Sequence, residues 1–269
     1  MKVIDPSVEI ITETNPLKKI ELCGRVCYKS EDRITEDSAK KFVQNIIDWG
    51  HTSVLEHARV FVDFSGTERS LYLQGFGEIL HTIRPRTYYC GHDVWRMNIR
   101  DLLVVQPEAT LEDIATLKNA DDYMTVRFVC DRAIANELVR HRVFSFSQES
   151  TRYVNYKNGI EFIRPVPFEW EKVYHSASLC AWRGAMQDAE AAYQRLIEKG
   201  CTPQEARLVL PLSTKTELIM TGTHKQWEDM LRLRLDRAAH PQMRYLMGLL
   251  ISNELFHKDK IFVPGVDYA

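Results

Sequence analysis

The chain has 269 residues, of which 45% are hydrophobic and 27% are charged. A chain of this length and composition can bury a substantial core, as one large domain or two small ones. Its 35 basic residues nearly balance its 37 acidic residues. The chain therefore lacks the overall positive charge of a general nucleic-acid-binding protein, and any anion-binding site must be local. There is no apolar signal segment and no run of membrane-spanning length, so we expect a cytoplasmic protein that binds neither membrane nor nucleic acid.

The first half of the chain predicts a helix followed by two strands. A helix over residues 35–50 begins at the capping residue Thr35 and ends at Gly50. Its inner stripe contains Ala39, Phe42, Val43, Ile46 and Ile47. The alternation of Val60, Val62 and Phe64 predicts a strand with one buried face, and a second strand is expected from Met124 to Cys130. The mixed segment between them, about 66–122, is predicted to be an inserted subdomain, in which His92-Asp93 is a surface turn and not a metal site.

The most informative segment follows a short helix predicted from about Asp131 to Arg140. It reads Arg140-His-Arg-Val-Phe-Ser-Phe-Ser-Gln-Glu-Ser-Thr-Arg-Tyr153. Arginine presents a planar fork of donors that matches phosphate geometry, so converging arginines predict binding of a nucleotide or a phosphorylated cofactor. The alternation of phenylalanines with serines indicates a partly buried extended segment that carries the cations inward. Glu137, one helical turn before Arg140, either pairs with that arginine or meets a ligand.

The second half is predicted to be mostly helical. Asn158-Gly159 predicts a tight turn that joins residues 153–156 and 160–163 as a hairpin. A long helix ends at Gly200, and Thr202-Pro-Gln-Glu205 carries the signature of a capping box that starts a new helix bearing Arg207. Thr223-His-Lys-Gln226 repeats the capping pattern. Pro241 opens the last amphipathic helix, whose apolar face comprises Met243, Leu246, Met247, Leu250 and Ile251.

Arg234 lies on the apolar side of the helix after Thr223, which is otherwise formed by Trp227, Met230, Leu231 and Ala238. A guanidinium among core positions must find an anion, because an unpaired buried charge costs several kcal/mol, roughly. Two explanations fit equally from local sequence: an internal salt bridge or subunit contact, and a bound ligand. The six cysteines lack the spacing of a zinc ribbon and are expected to be free thiols, and no glycine-rich Rossmann or Walker loop is present.

These motifs together resemble those of the flavin-dependent thymidylate synthases. The signature Arg-His-Arg, seven residues, then Ser is present as Arg140-His141-Arg142 to Ser150, and Arg152-Tyr153 extends it. The similarity continues in Arg25-Val-Cys-Tyr28, Gly50-His-Thr-Ser-Val-Leu-Glu-His57, Ala206-Arg-Leu-Val-Leu-Pro-Leu212 and Leu231-Arg-Leu-Arg234. The resemblance implies an α/β (α+β) fold, with a central twisted, mainly antiparallel sheet flanked by helices. It also implies a single catalytic domain over 1–269, assembled as a homotetramer with its active sites between subunits.

The resemblance further implies reductive methylation of dUMP, with methylenetetrahydrofolate as carbon donor, NADPH as reductant and FAD carrying the hydride. Arg234 is implied as the catalytic residue at the uracil edge, where a fixed positive charge stabilises developing charge. The implied dUMP-binding residues are Glu137, Arg140, Gln148, Glu149, Ser150, Thr151, Arg152, Arg207 and Arg234. The implied FAD-binding residues are His51, Ser53, Arg140, His141, Arg142, Gln148, Thr223, Lys225 and Asp229, and no metal site is implied.

The chain departs from the family pattern at several of these positions. Thr223, Lys225 and Asp229 stand where some members carry asparagine, arginine and asparagine. Gln148 replaces a frequent glutamate, and Glu137 a glutamine. Ser150 has no base nearby in sequence, so it is expected to bind substrate and not to act as a nucleophile. Two other functions remain open: a nucleotide-binding protein without redox chemistry, such as a phosphate-ester hydrolase, and a helical assembly protein whose arginines form scattered ion pairs.

Overall fold

The computed structural model describes residues 1–63, 88–91, 94–166 and 175–258, with backbone alone at 88–91, 175–176 and 257–258. Phe64 and His92-Asp93 therefore lie outside the described residues. The strands are β1 (Lys2–Ile4), β2 (Ser7–Ile10), β3 (Arg59–Asp63), β4 (Tyr88–Gly91), β5 (Val94–Asn98), β6 (Tyr123–Asp131), β7 (Ser145–Gln148), β8 (Glu161–Ile163) and β9 (Lys215–Thr223). The α-helices are α1 (Pro16–Val26), α2 (Ser38–Asp48), α3 (Ile99–Val105), α4 (Leu111–Thr116), α5 (Arg132–Leu138), α6 (His175–Glu198), α7 (Pro203–Ala206), α8 (His224–Arg234), α9 (Pro241–Ile251) and α10 (Glu254–Lys258). Short 3-10 helices cover Glu31–Arg33, Thr52–His57 and Arg207–Val209.

The main sheet is antiparallel throughout, in the order β2-β6-β9-β7. The long central strands β6 and β9 pair from Tyr123 opposite Thr223 to Asp131 opposite Lys215. Every residue of β9 is buried, as expected for a strand covered on both faces. Two further sheets accompany it, β3-β5-β4, which is antiparallel, and β1-β8, which is parallel. The predicted mixed α/β class, with a mainly antiparallel sheet flanked by helices, is confirmed.

One face of the main sheet carries the largest apolar cluster. Phe128 and Met220 from the sheet pack there with helices α5, α8 and α9, and Trp227 of α8 is fully buried. The Trp227 ring lies 4.8 Å from Phe144, edge to face, and its Nε1–H donates to the carbonyl of Met124 at 3.0 Å. This pairing satisfies the polar edge of a large buried ring, so Trp227 contributes both apolar area and a directional bond.

The opposite face of the sheet carries a line of buried hydrogen bonds. The 3-10 helix Thr52–His57 packs on it, and the His57 imidazole bonds Thr221 Oγ1 through Nδ1 at 2.8 Å and Ser147 Oγ through Nε2 at 3.0 Å. Thr125 Oγ1 extends the line to Thr221 at 2.9 Å, and Ser145 Oγ donates to Glu56 at 3.1 Å. Buried polar groups are almost always hydrogen-bonded. The directional hydrogen bonds on this face therefore fix how the 3-10 helix sits on the sheet, in addition to the packing of the side chains.

A second core joins α1 and α2 with the smaller antiparallel sheet. Its members include Leu17, Ile20, Val43, Val60, Met97 and Leu102. Residues from β5, α3 and α4, within the segment predicted as an insertion, thus pack against the same apolar cluster as the first 62 residues. None of the described helices is both long and apolar enough to cross a bilayer.

Several predicted elements form with shifted boundaries. The helix predicted from Thr35 begins at Ser38, because Ser38 Oγ accepts the Thr35 N–H at 2.8 Å and holds residues 35–37 in a turn. Gly50 and Gly200 follow their helices with φ of +71° and +89°, the left-handed conformation that glycine adopts without strain. The helix carrying Arg234 ends at that residue, so Ala238, which is exposed, was wrongly placed on its apolar side.

The predicted hairpin around Asn158-Gly159 is wrong, although the turn itself forms. Residues 153–156 are not a strand, because Tyr156 packs on the long helix, with its N–H 3.3 Å from the Tyr193 hydroxyl. Strand β8 pairs instead with β1 in parallel, Phe162 opposite Val3. The sequence between the two strands is long, so local patterning did not indicate this pairing.

Candidate active site

Residues 148–152, which begin at the last residue of β7, turn back and pack against the end of α1; we call them the 148–152 loop. The N–H of Ser150 donates to the carbonyl of Cys27 at 3.0 Å. The Ser150 hydroxyl in turn accepts the N–H of Arg152 at 3.3 Å. The ring of Tyr153 stacks at a tilt 5.2 Å from that of Tyr28. The loop is thereby held beside the residues that follow α1.

Two arginines meet at this loop: Arg152 belongs to it, and Arg207 approaches it from a separate part of the chain. Arg152 Nε donates to Gln204 Oε1 at 3.1 Å, and Arg207 Nη1 lies 3.5 Å from Thr151 Oγ1. Gln148 Nε2 donates to Thr216 Oγ1 of β9 at 3.3 Å. The short helix α7, with Glu205 accepting the Thr202 N–H at 2.8 Å as predicted, presents Arg207. The structure thus brings together Gln148, Glu149, Ser150, Thr151, Arg152 and Arg207.

A second group forms where α5 meets the end of α8. Arg234 Nη1 donates to Glu137 Oε2 at 2.8 Å, Nη2 to the Glu137 carbonyl at 3.1 Å, and Nε to His141 Nε2 at 2.9 Å. The Arg234 side chain is 15% exposed. Glu137 therefore pairs with Arg234 instead of Arg140, and the internal salt bridge considered for Arg234 is present. Its guanidinium is oriented by three acceptors, and the side chain is mostly but not fully buried.

The Arg234 contact also fixes the state of His141. Because Nε–H donates to Nε2 of the imidazole, that nitrogen is an acceptor and the ring is neutral. Burial, and then the neighbouring Arg234 charge, lower the pKa of His141 from 6.5 to about 4. A neutral His141 and a charged Arg234 therefore coexist at neutral pH.

Arg140 and Arg142 are exposed, so the prediction that this segment carries its cations inward is wrong for these two residues in the single chain. The extended segment itself forms as β7. Ser145 and Ser147 lie on the face of the sheet that carries the buried hydrogen bonds. Phe144 lies on the opposite, apolar face and packs on Trp227. The alternation therefore orients the serines and phenylalanines, and the arginines that precede the strand project from the turn.

The predicted flavin residues fall into two places. His51 Nδ1 is hydrogen-bonded with the Tyr28 hydroxyl at 3.2 Å, and Tyr28 contacts Tyr153, so His51 lies on the same side as the 148–152 loop. Ser53 is exposed two residues further along. These side chains leave polar atoms available to a ligand.

Thr223, Lys225 and Asp229 lie elsewhere, at the far end of β9. Thr223 caps α8, with its Oγ1 accepting the Gln226 N–H at 3.1 Å, and Lys225 Nζ pairs with Asp229 at 2.8 Å on the surface. At a strand rise of about 3.3 Å per residue, Thr223 is about 26 Å from Lys215 at the other end of β9. A single chain therefore does not join these three residues to the 148–152 loop.

Sequence reasoning missed a buried charged cluster behind this loop. Lys215 and Glu217 open β9 and pair with each other, and Lys215 Nζ lies 3.0 Å from Glu149 Oε2. Lys29, in the turn after α1, and Arg127, in β6, both pair with Glu217. The signal was present, since two charged residues at i and i+2 directly precede the apolar run Leu218-Ile-Met220 of β9. Among the described residues, no three His, Cys, Asp or Glu side chains converge as metal ligands, and the five cysteines with described side chains are free.

The buried His57 predicts loss of stability in mild acid. Burial, followed by the nearby Lys19 charge, lowers the pKa of His57 from 6.5 to about 4. The folded state therefore binds fewer protons than the unfolded state between these values, so this contribution is complete above pH 6.5 and is lost as the pH falls towards 4. The shift corresponds to about 3 kcal/mol at most. Urea unfolding at pH 7 and pH 5 should show a smaller difference for His57→Gln than for the wild type or the exposed-site variant His51→Gln; equal differences in all three would contradict it.

The fold and site define a mixed α/β protein with arginines and hydroxyls gathered around one loop, a surface suited to an anionic ligand. The chain belongs to the thymidylate synthase complementing protein family, Thy1, whose model matches residues 9–76 and 122–254. The family resemblance drawn from the motifs is confirmed.

Similar proteins share most of the chain. A flavin-dependent thymidylate synthase of Mycolicibacterium gilvum (strain PYR-GCK) is 26% identical over 259 residues, covering 90% of this chain and 76% of that protein. One from Mycobacterium tuberculosis (strain ATCC 25618 / H37Rv) is 24% identical over 239 residues, covering 84% and 70%. Among solved structures, a UMP/dUMP methylase PolB from Streptomyces cacaoi, bound with 5-Br dUMP, matches 97% of this chain and 93% of that chain at 19% identity and a TM-score of 0.48.

Proposed function

We propose that this protein is a flavin-dependent thymidylate synthase, which converts dUMP to dTMP with methylenetetrahydrofolate as carbon donor, NADPH as reductant and FAD as cofactor. The observation that carries the proposal is Arg234, held by Glu137 and His141 at hydrogen-bond distance and still partly open to solvent. Family membership and the similarity to flavin-dependent thymidylate synthases support it. We also propose that residues 1–269 act as one catalytic domain in the cytoplasm.

Each residue group suits one part of dUMP. Arg152 within the 148–152 loop and Arg207 beside it present donor forks, which match the oxygens of a dianionic phosphate, and the Ser150 hydroxyl adds a neutral donor. Arg234 would face the uracil edge. Its charge is fixed before substrate arrives, so it stabilises negative charge developing on the ring without reorganisation.

The residues present fit a phosphorylated flavin in part. Arg140, Arg142, His51 and Ser53 are exposed and offer donors for phosphate and ring oxygens. Lys225 and Asp229 are paired with each other and would exchange that contact for a ligand. FAD, when bound, supplies the redox chemistry that moves a hydride from NADPH towards the transferred carbon.

We further propose self-association as a homotetramer that completes the site between copies. Four of the five site arginines, Arg142, Arg152, Arg207 and Arg234, have a large exposed apolar neighbour in sequence, namely Val143, Tyr153, Leu208 and Leu233, and Leu208 is 84% exposed. Apolar side chains beside arginines are typical of protein interfaces. If a second copy covers these apolar side chains, the residues near Thr223 of one copy would also approach the 148–152 loop of the other.

The expected result for the purified protein is a yellow preparation whose flavin absorbance bleaches with NADPH. Product analysis should then find dTMP when dUMP, methylenetetrahydrofolate and NADPH are all present, and none when any one is omitted. UMP in place of dUMP tests the sugar preference. A colourless protein that binds dUMP but does not take up added FAD would favour a nucleotide-binding protein without redox chemistry.

A further inference from the structure

The charged cluster behind the 148–152 loop has its centre at Lys215; we call Glu149, Lys215, Glu217, Lys29 and Arg127 the Lys215 network. Lys215 Nζ bonds Glu149 Oε2 at 3.0 Å and also pairs with Glu217. Arg127 Nε donates to Glu217 Oε2 at 2.8 Å, and Lys29 pairs with the other oxygen. The network therefore ties the loop to β9, β6 and the end of α1.

Glu149 has no free oxygen to offer a nucleotide. Its Oε1 accepts the Tyr156 hydroxyl at 2.7 Å, its Oε2 accepts Lys215, and the residue is 2% exposed. Its backbone N–H donates to the Glu217 carbonyl at 2.8 Å, and the next N–H, from Ser150, donates to Cys27. Glu149 is thus anchored at both its side chain and its backbone immediately before the residues suited to phosphate.

The network is held by charge. Burial raises the pKa of Glu217, but hydrogen bonds from Lys215 and Lys29 outweigh it and lower that pKa from 4.5 to about 2. Burial lowers the pKa of Lys215, but Glu149 and Glu217 raise it overall. The pair formed by Lys215 and Glu217 is therefore held in its ionised form. Loss of Lys215 leaves two buried carboxylates short of a partner, which strongly disfavours the present arrangement.

The side of the Lys215 network next to Glu149 is not closely packed, so the ion pairs and not van der Waals contacts hold the loop there. A cavity of about 420 Å³ lies against the network, lined by Lys29, Glu149, Tyr156 and Lys215 among others. This space opens to solvent and borders the charged side chains of Lys29, Glu149 and Lys215, so Glu149 has room to turn away from β9 when its partner is removed. The position of the loop therefore depends on the Lys215 contact.

We propose that Lys215 is a positioning residue for substrate, acting through Glu149 to place Ser150 and Arg152 for the phosphate of dUMP. This inference rests on the proposed function. Lys215 itself does not touch the ligand. A few tenths of an ångström of loop displacement weakens charge-assisted bonds to phosphate, and the uracil contacts at Arg234, on a different pair of helices, keep their geometry.

The test compares dUMP with deoxyuridine, which lacks the phosphate, on the FAD-loaded protein. Lys215→Met should weaken dUMP binding by about tenfold in calorimetry while deoxyuridine binding and flavin content stay as in the wild type. Lys215→Arg retains the charge and should recover most of the dUMP affinity. Lys40→Met is the matched control, since Lys40 is an exposed lysine paired with Glu112, and it should leave both affinities unchanged.

Each outcome decides the inference. Equal loss for dUMP and deoxyuridine, or unchanged dUMP affinity in Lys215→Met, overturns the positioning role while the proposed function stands. A wild-type protein that binds no dUMP overturns both. Should Lys215→Met fail to fold, Tyr156→Phe removes only the other bond to Glu149 and is expected to weaken dUMP about threefold and deoxyuridine not at all; no change in dUMP affinity overturns the inference.

Discussion

Arg234→Ala is expected to lower kcat/KM for dUMP by about 100- to 1000-fold, the usual cost of removing a fixed donor to developing charge. The guanidinium is oriented by Glu137 and His141 before substrate binds, so no other described side chain in this group supplies a replacement positive charge. Steady-state formation of dTMP gives the rate constants. A dUMP titration of the same variant separates binding from turnover.

Arg232 provides the matched control. It lies on the same helix, two residues away, with an exposed side chain near Asp229, so Arg232→Ala should leave kcat/KM within about twofold of the wild type, as surface changes usually do. If Arg234→Ala instead lowers the melting temperature and leaves dUMP binding and turnover intact, Arg234 is a structural ion pair only.

Trp227→Ala is expected to lower the free energy of unfolding by about 3–5 kcal/mol. The indole is fully buried between Phe128 and Phe144, and its removal leaves a large cavity and an unpaired carbonyl at Met124. Urea unfolding followed by circular dichroism measures the change. The slope with urea should be similar to that of the wild type, because the surface exposed on unfolding changes little.

Trp49→Ala is the comparison for this prediction. Trp49 follows α2 and is 64% exposed, so its loss should change stability by about 0.5 kcal/mol or less. If Trp227→Ala loses as little stability as Trp49→Ala is expected to lose, the cluster around Trp227 relaxes to fill the space and the prediction is contradicted.

Local chemistry made much of the fold predictable. The capping boxes at Thr202 and Thr223 form as predicted, because side chain and backbone meet within four residues. The strands around Val60 and Met124 follow from their apolar patterning. The parallel pairing of β1 with β8 was not predictable in this way, since its two partners are about 160 residues apart and neither alternates clearly.

The sequence predicted which residues belong to the site better than it predicted which residues contact one another there. The motifs indicated that Ser150, Arg152 and Arg207 belong together, and the structure places them around one loop. Local sequence left the partner of Arg234 open, because Glu137 is nearly one hundred residues away. The Lys215 network escaped prediction for the same reason: its carboxylates and cations come from four segments that meet only after the sheet has formed.

The two faces of the main sheet differ in how strictly they specify the alignment of its strands. Sliding β7 by one residue along β9 would exchange Ser147 for Phe146 beside His57, so His57 Nε2 would lose its hydroxyl partner and meet an aromatic ring. The other face is rich in methionine side chains such as Met220 and Met230, which adapt to small changes in shape by changing rotamer. The directional bonds that specify strand alignment therefore lie on the hydroxyl-lined side, and most of the buried apolar area lies on the methionine side. Sequence drift in this protein should accordingly be freer among the methionines than among the threonines and serines opposite them.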